Sequence, residues 1–253
     1  MKRLLIPTLL VLFATTAQSV AAQSAIIPAP PQVAAEAYLL VDADTGAVLV
    51  EHNAETPRPP ASLVKMMTVY VLASEIESGR VNVDDLVTVS RNAWSQNPVF
   101  AGSSLMWIEP GKEVTIRELE YGIIISSGND ATVAVAEHLA GSEAAFAEMM
   151  NSHAQALGMS NSHFANSHGL PADGQVVTAR DLATLGAAMI NDFPEHYALY
   201  KEREFTYNNI RQYNRNSLLG EDPSVDGIKT GYTSESGYGL VASAERNGMR
   251  LIS

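Results

Sequence analysis

The sequence predicts a fold of the α/β (α+β) class: an antiparallel sheet built from both chain ends, flanked by helices, with a helical block inserted between its two groups of strands. Three observations predict it. Residues 38–51 read as two short strands about a turn. Residues 62–191 carry five segments of helical periodicity. After Tyr200 the pattern returns to short strands.

Tyr38-Leu39-Leu40-Val41-Asp42 is the first predicted strand. Asp44-Thr45-Gly46 is a turn signal, and 47–51 returns as the second strand of a hairpin. Pro57, Pro59 and Pro60 then break the chain. From Ser62 the spacing of Val64, Met67, Val71 and Leu72 predicts a helix ending near Gly79. Residues 94–111 lack periodicity and read as a long loop, a kind of segment that is often functional. Helices follow over 116–125, 130–140 (closed by Gly141), 142–157 (Ser142 as cap, Gly158 beyond) and 178–191 (Thr178 as cap). Strands are predicted over 204–207, 225–230, 238–244 and from Met249 onward.

Composition narrows the function. The 253 residues are 46% apolar and carry a formal net charge of −12. That is enough for one large domain. It is too acidic to bind nucleic acid by neutralising phosphates. The absence of cysteine excludes disulfides, thiolate metal sites and cysteine nucleophiles together. At the N-terminus, Lys2 and Arg3 precede an apolar run over 4–14 and a small-residue stretch ending Val20-Ala21-Ala22. This predicts a secretory signal peptide over 1–22 and an exported protein. The run is short for a membrane span, which needs about 20 apolar residues. Residues 23–34, rich in Pro, Ala and Gln, read as an extended leader to a domain over 35–253. Arg250-Leu251-Ile252-Ser253 reads as a strand with no turn or cap after it, so the domain is expected to be truncated there.

Three short motifs can carry chemistry. In Ser62-Leu63-Val64-Lys65 the first and last residues share a helix face, and a lysine of lowered pKa can take the serine proton. Alone, such a serine is more often a helix cap. In Ser127-Gly128-Asn129, a turn between two helices presents a hydroxyl and an amide; alone it reads equally as two helix caps. In Lys229-Thr230-Gly231, a strand offers an edge for an extended ligand, a positive charge, and a glycine that permits close approach. The three occur in order and in the right contexts, as in penicillin-binding proteins and class A β-lactamases.

The chain resembles the D-alanyl-D-alanine carboxypeptidases, the low-molecular-mass penicillin-binding proteins. The resemblance rests on those motifs together with Asn97-Pro98-Val99-Phe100, Gly102-Ser103-Ser104, Asn214-Arg215-Asn216 and Val225-Asp226-Gly227-Ile228. It implies a β-lactamase/transpeptidase-like fold and removal of the terminal D-alanine from peptidoglycan stem pentapeptides, with β-lactams as acylating inhibitors. It implies Ser62 as nucleophile, Lys65 as general base and Ser127 as proton donor to the leaving amine. It implies substrate contacts from Asn129, Arg215, Lys229, Thr230 and Gly231, and an oxyanion hole from the backbone N–H groups of Ser62 and Tyr232. Relatives often carry histidine where Tyr232 stands, and its backbone donor survives that exchange. Relatives also continue beyond the equivalent of Ser253, so any membrane contact is expected only through residues absent here. The expected location is the periplasm or the outer face of the cytoplasmic membrane.

No cofactor is expected. His153, His163 and His168 do not have the short spacings of zinc sites, so no metal is expected either, and 168–174 is read as a turn near the cleft. Two alternatives belong to other classes. A β-lactamase needs a water-holding glutamate that the sequence does not identify, and Gly128 stands where that group has aspartate. A peptidoglycan-binding module with decayed catalysis conflicts with an intact set of polar residues.

Overall fold

The computed structural model describes Pro30 and residues 33–253. The predicted signal peptide, and all but the end of the leader, lie outside the described residues. Residues 34–253 form one compact unit.

Its main sheet has five antiparallel strands. The first hairpin is β1 (Tyr38–Asp42) and β2 (Val48–His52); the closing strands are β7 (Val225–Thr233), β8 (Gly237–Arg246) and β9 (Met249–Ile252). Their spatial order is β2-β1-β9-β8-β7. Strands from the two chain ends therefore meet where β9 pairs with β1, with Val41 opposite Ile252. The fold class read from the sequence is the one observed. β7 forms one edge of the sheet, and this places Lys229 and Thr230 at an open strand.

The inserted helices are α1 (Lys65–Glu77), α2 (Ile116–Ile124), α3 (Asn129–Ala140), α4 (Glu143–Ala156) and α5 (Ala179–Asp192). The helix expected from Ser62 is divided. Ala61–Val64 is a tighter 3-10 turn, and the α-helix starts at Lys65. α1 is buried nearly all round rather than on one stripe: Met66, Met67, Val69, Val71 and Leu72 are all inaccessible. A helix apolar on every side belongs at the centre of the core. The predicted caps form. Ser142 accepts from the Ala145 N–H, Thr178 accepts from the Asp181 N–H, and Gly141 closes α3 in the left-handed region. Thr115 and Glu118 make a reciprocal capping box on α2, worth about 1 kcal/mol. α5 lies against the sheet at Gly186, where an added Cβ would come 3.1 Å from Ile228 Cδ1.

Periodicity missed the short elements. β3 (Leu86–Thr88) and β4 (Glu113–Thr115) pair as a ribbon that closes the long loop between them. Three-residue strands are too short to show alternation. α6 (Pro194–Tyr197) is a single turn, as is α7 (Leu218–Glu221). β5 (Glu204–Tyr207) was expected, whereas its partner β6 (Ile210–Tyr213) was not. Their hairpin turns on Asn208 and Asn209, both with positive φ, the two-residue geometry that suits the strand twist.

Candidate active site

Ser62 lies on the 3-10 turn and faces Lys65, the first residue of α1. Lys65 Nζ is 3.0 Å from Ser62 Oγ, 2.6 Å from Asn129 Oδ1 and 2.5 Å from the His168 carbonyl oxygen. The lysine has no solvent exposure. Its amine is held well below the ordinary lysine range, mainly by burial and further by the nearby Lys229 charge, while Asp130 opposes the shift. A neutral amine has two N–H bonds and one lone pair. The Asn129 amide oxygen and the His168 carbonyl are acceptors only, so they take the two N–H groups. In that neutral form the lone pair is left for the Ser62 hydroxyl, whereas an ammonium donates to Ser62 Oγ as well. The neutral form is the state in which a lysine can receive a serine proton.

The second cluster is built on β7 and the turn between α2 and α3. Lys229 Nζ donates to Ser127 Oγ and to the Thr230 carbonyl, both at 3.0 Å. Burial brings the Lys229 ammonium down to about 7, with the Arg215 charge contributing. Ser127 has a φ of +57°, a left-handed conformation costing about 1–2 kcal/mol in a residue with a side chain. Ala61, next to Ser62, has a φ of +49°. Such strain is characteristic of functional positions.

Close packing joins the clusters. A Cβ at Gly231 would lie 3.1 Å from both the Pro60 carbonyl oxygen and the Ser62 nitrogen. The approach that requires glycine there is that of the Ser62 turn itself. Tyr232 follows on β7, more than half exposed, with its ring 4.4 Å from that of Tyr238 on β8. Arg215 is exposed beside Ser126 in a cleft of about 480 Å³. All nine predicted site residues thus fall on two adjoining clusters and their immediate border.

Three contributors were not legible in the sequence. The first is the His168 carbonyl on Lys65. The 168–174 stretch was read as a turn near the cleft, but a backbone acceptor leaves no signature in residue type. The His168 ring is itself neutral, with its pKa down at about 3 through burial and the Lys65 charge. Nδ1 accepts from the Leu170 N–H, so Nε2–H points to the Glu143 carboxylate 3.3 Å away. The second is Gly169, whose φ is +91° and where a Cβ would fall 1.9 Å from the Ala61 carbonyl oxygen. The third is Asp130. Its carboxylate accepts the backbone N–H groups of Met106, Trp107, Ile108 and Ala131 at 2.8–3.1 Å. Burial pushes this carboxyl up against the pull of those four donors. Asp130 thereby ties the 94–111 loop to the Ser127–Asn129 turn, and Asn129 N–H donates back to the Ser104 carbonyl.

Comparison with known proteins shows the family. The sequence model for the S11 peptidase family, D-alanyl-D-alanine carboxypeptidase, matches residues 22–253. The chain belongs to this family. It is 53% identical over 230 residues to the D-alanyl-D-alanine carboxypeptidase DacA of Escherichia coli (strain K12), covering 90% of this chain and 57% of that one. It is 49% identical over 225 residues to DacC of the same strain, covering 88% and 56%. The chain therefore spans little more than half the length of these family members. The crystal structure of penicillin binding protein 5 from Haemophilus influenzae superposes with a TM-score of 0.86 at 44% identity, over 89% of this chain and 65% of that one. Penicillin-Binding Protein D2 from Listeria monocytogenes, in its cefotaxime-bound form, superposes with a TM-score of 0.79 at 30% identity, over 89% and 90%.

Proposed function

We propose that the protein is an exported serine D-Ala-D-Ala carboxypeptidase of the periplasm or the outer face of the cytoplasmic membrane. It removes the terminal D-alanine from peptidoglycan stem pentapeptides through an acyl-enzyme on Ser62. The observation that carries this reading is the buried Lys65 amine, held low in pKa and set 3.0 Å from Ser62 Oγ, with Asn129 Oδ1 and the His168 carbonyl as its other partners.

Lys65 takes the Ser62 proton as Oγ attacks the carbonyl between the two D-alanines. The oxyanion forms against the backbone N–H groups of Ser62 and Tyr232. Asn129 uses Oδ1 on Lys65, which leaves its NH2 for the substrate amide. The C–N bond breaks, and Ser127, bridged to Lys229, gives a proton to the leaving amine. Lys229, Thr230 and Arg215 hold the terminal carboxylate. The substrate's extended backbone pairs along the edge of β7, where Gly231 keeps the strand close to the nucleophile. Water then hydrolyses the ester, with Lys65 again as base. A β-lactam enters the same path as far as the acyl-enzyme; the Listeria relative has been solved in cefotaxime- and ampicillin-bound forms.

The test is intact mass after incubation with benzylpenicillin, with the adduct mapped by peptide, beside an assay of D-alanine release from a pentapeptide. One adduct on the peptide holding Ser62 is expected. Ser62→Ala should abolish both the adduct and D-alanine release, and survival of either would overturn the assignment.

A further inference from the structure

The His168 carbonyl is one of three groups on Lys65 Nζ, and it makes the shortest of the three contacts, 2.5 Å. Lys65 and Asn129 sit on helices, but His168 sits on a loop between α4 and α5. A loop carbonyl fixes a lysine amine in one orientation only if the loop itself is held. The hold on this loop comes from outside the motifs that carry Ser62, Ser127 and Lys229.

Glu143 is the first residue of α4, where Ser142 already serves as cap. Its Oε1 accepts the Ser167 hydroxyl at 2.7 Å and the Ser167 backbone N–H at 3.1 Å, and His168 Nε2 lies 3.3 Å from the same oxygen. One carboxylate oxygen thus gathers donors from two consecutive residues. On the other side of that pair Thr68, one turn along α1 from Lys65, donates its hydroxyl to the Ser167 carbonyl at 2.6 Å. The His168 ring stands edge-on to Phe100, with centroids 5.9 Å apart. Ser167 is inaccessible and His168 is buried. An acidic residue in the first turn of a helix ordinarily serves that helix's own free N–H groups. Glu143 is directed instead at a residue 24 positions away, through charge-assisted hydrogen bonds, which are the stronger kind.

We propose that Glu143 is a positioning residue for the general base: through Ser167 and His168 it holds the His168 carbonyl on Lys65, and so sets the lysine amine against Ser62 Oγ. The inference rests on the carboxypeptidase reading, which makes Lys65 the base. Glu143 takes no proton and forms no bond in the reaction; it acts through the loop. Its side chain is 31% exposed, so replacing it opens no sealed cavity in the core. Without it the Ser167-His168 peptide keeps only the Thr68 hydroxyl and the ring packing, and Lys65 loses the fixed acceptor for one N–H.

The test measures the rate of acylation by a fluorescent penicillin for Glu143→Ala and Glu143→Gln, each made alone and together with Lys65→Ala. Glu143→Ala should slow acylation about 10–100-fold, the scale of a misplaced catalytic group. Glu143→Gln keeps an acceptor oxygen for Ser167 and should stay close to wild type. With Lys65→Ala already present, Glu143→Ala should slow acylation no further, because residues that act as one unit are not additive. A merely structural Glu143 would bring the same loss in both backgrounds. That result would overturn the proposal, as would an undiminished rate in Glu143→Ala or a Glu143→Gln as slow as Glu143→Ala. Should Glu143→Ala fail to fold, Ser167→Ala removes one of the donors without touching α4; its smaller loss should likewise vanish beside Lys65→Ala, and a loss that persists there would count against the proposal. Crystal structures of the Glu143 and Ser167 variants give a readout that needs no turnover. The His168 carbonyl should move out of hydrogen-bond reach of Lys65 Nζ in Glu143→Ala and stay in Glu143→Gln. If the wild type takes no penicillin and releases no D-alanine, the carboxypeptidase reading fails by itself. The structures then still decide whether Glu143 holds the carbonyl, and a carbonyl that stays on Lys65 in Glu143→Ala sinks the proposal.

Discussion

Lys65 Nζ lies 3.0 Å from Ser62 Oγ in surroundings that leave the lysine no contact with solvent. Depressed basicity and short reach together suit it to accept the serine proton. The prediction separates a base from a mere charge. Arginine keeps the charge but is not deprotonated in proteins. Lys65→Arg and Lys65→Ala should both slow acylation by a fluorescent penicillin, by about 10²–10⁴-fold. Near wild-type labelling of Lys65→Arg would show that only the charge matters.

Lys229 connects the site to pH. Its folded-state value of about 7 lies below the ordinary 10.5 of an unfolded chain. Below pH 7 both states are protonated, and the folded state bears the cost of a buried ammonium. Between about 7 and 10.5 the unfolded chain holds the extra proton, so this group's contribution to unfolding free energy rises with pH. Lys65, lowered for the same main reason, contributes with the same sign. Urea denaturation at pH 6.5 and 9 should therefore show Lys229→Met with a smaller rise than wild type. In the wild type, acylation by an anionic penicillin should decline as pH passes upward through about 7 and the Lys229 charge is lost. Equal pH dependence of stability in the two proteins would refute the assignment.

What the sequence revealed of this site follows the nature of each contribution. Polar side chains carried by short, ordered motifs were legible: Ser62 and Asn129 meet at Lys65, and Ser127 meets Lys229. The sheet joining both chain ends was legible because alternation and turn signals flank a helical middle. Backbone functions were not. The His168 carbonyl acts on Lys65 through an atom that every residue type possesses. Asp130 opens the helix expected over 130–140, and of its four backbone donors three come from a loop over twenty positions away. The ribbon of β3 and β4 stayed hidden because its strands are three residues long and gain their pairing from the fold, not from local pattern.

Gly169 gives a local test of packing behind the nucleophile. A methyl group there would collide with the Ala61 carbonyl, and the left-handed φ already disfavours a side chain. Gly174→Ala is the control: its φ is +77°, but a Cβ would meet only the His163 ring, at 3.9 Å. Gly169→Ala should cost about 3 kcal/mol or more, and Gly174→Ala about 1–2 kcal/mol. Penicillin labelling should fall much further in the first, because the collision pushes the Ser62 turn away from the His168 carbonyl. Equal denaturation midpoints for the two variants would contradict the close approach.

Asp130 carries both structure and electrostatics, and the two can be told apart. Asp130→Ala leaves the N–H groups of Met106, Trp107 and Ile108 without their acceptor, at about 3 kcal/mol or more in unfolding free energy. Asp130→Asn retains one acceptor oxygen and the shape, so its cost should be smaller. Either change should alter the near-ultraviolet circular dichroism contributed by Trp107. A purely structural residue would do no more than this. The Asp130 charge also raises the proton affinity of Lys65. Removing it leaves Lys65 easier to deprotonate, so the low-pH limb of the acylation profile should move to lower pH in Asp130→Asn. A limb that stays in place while stability falls would confine Asp130 to holding the loop.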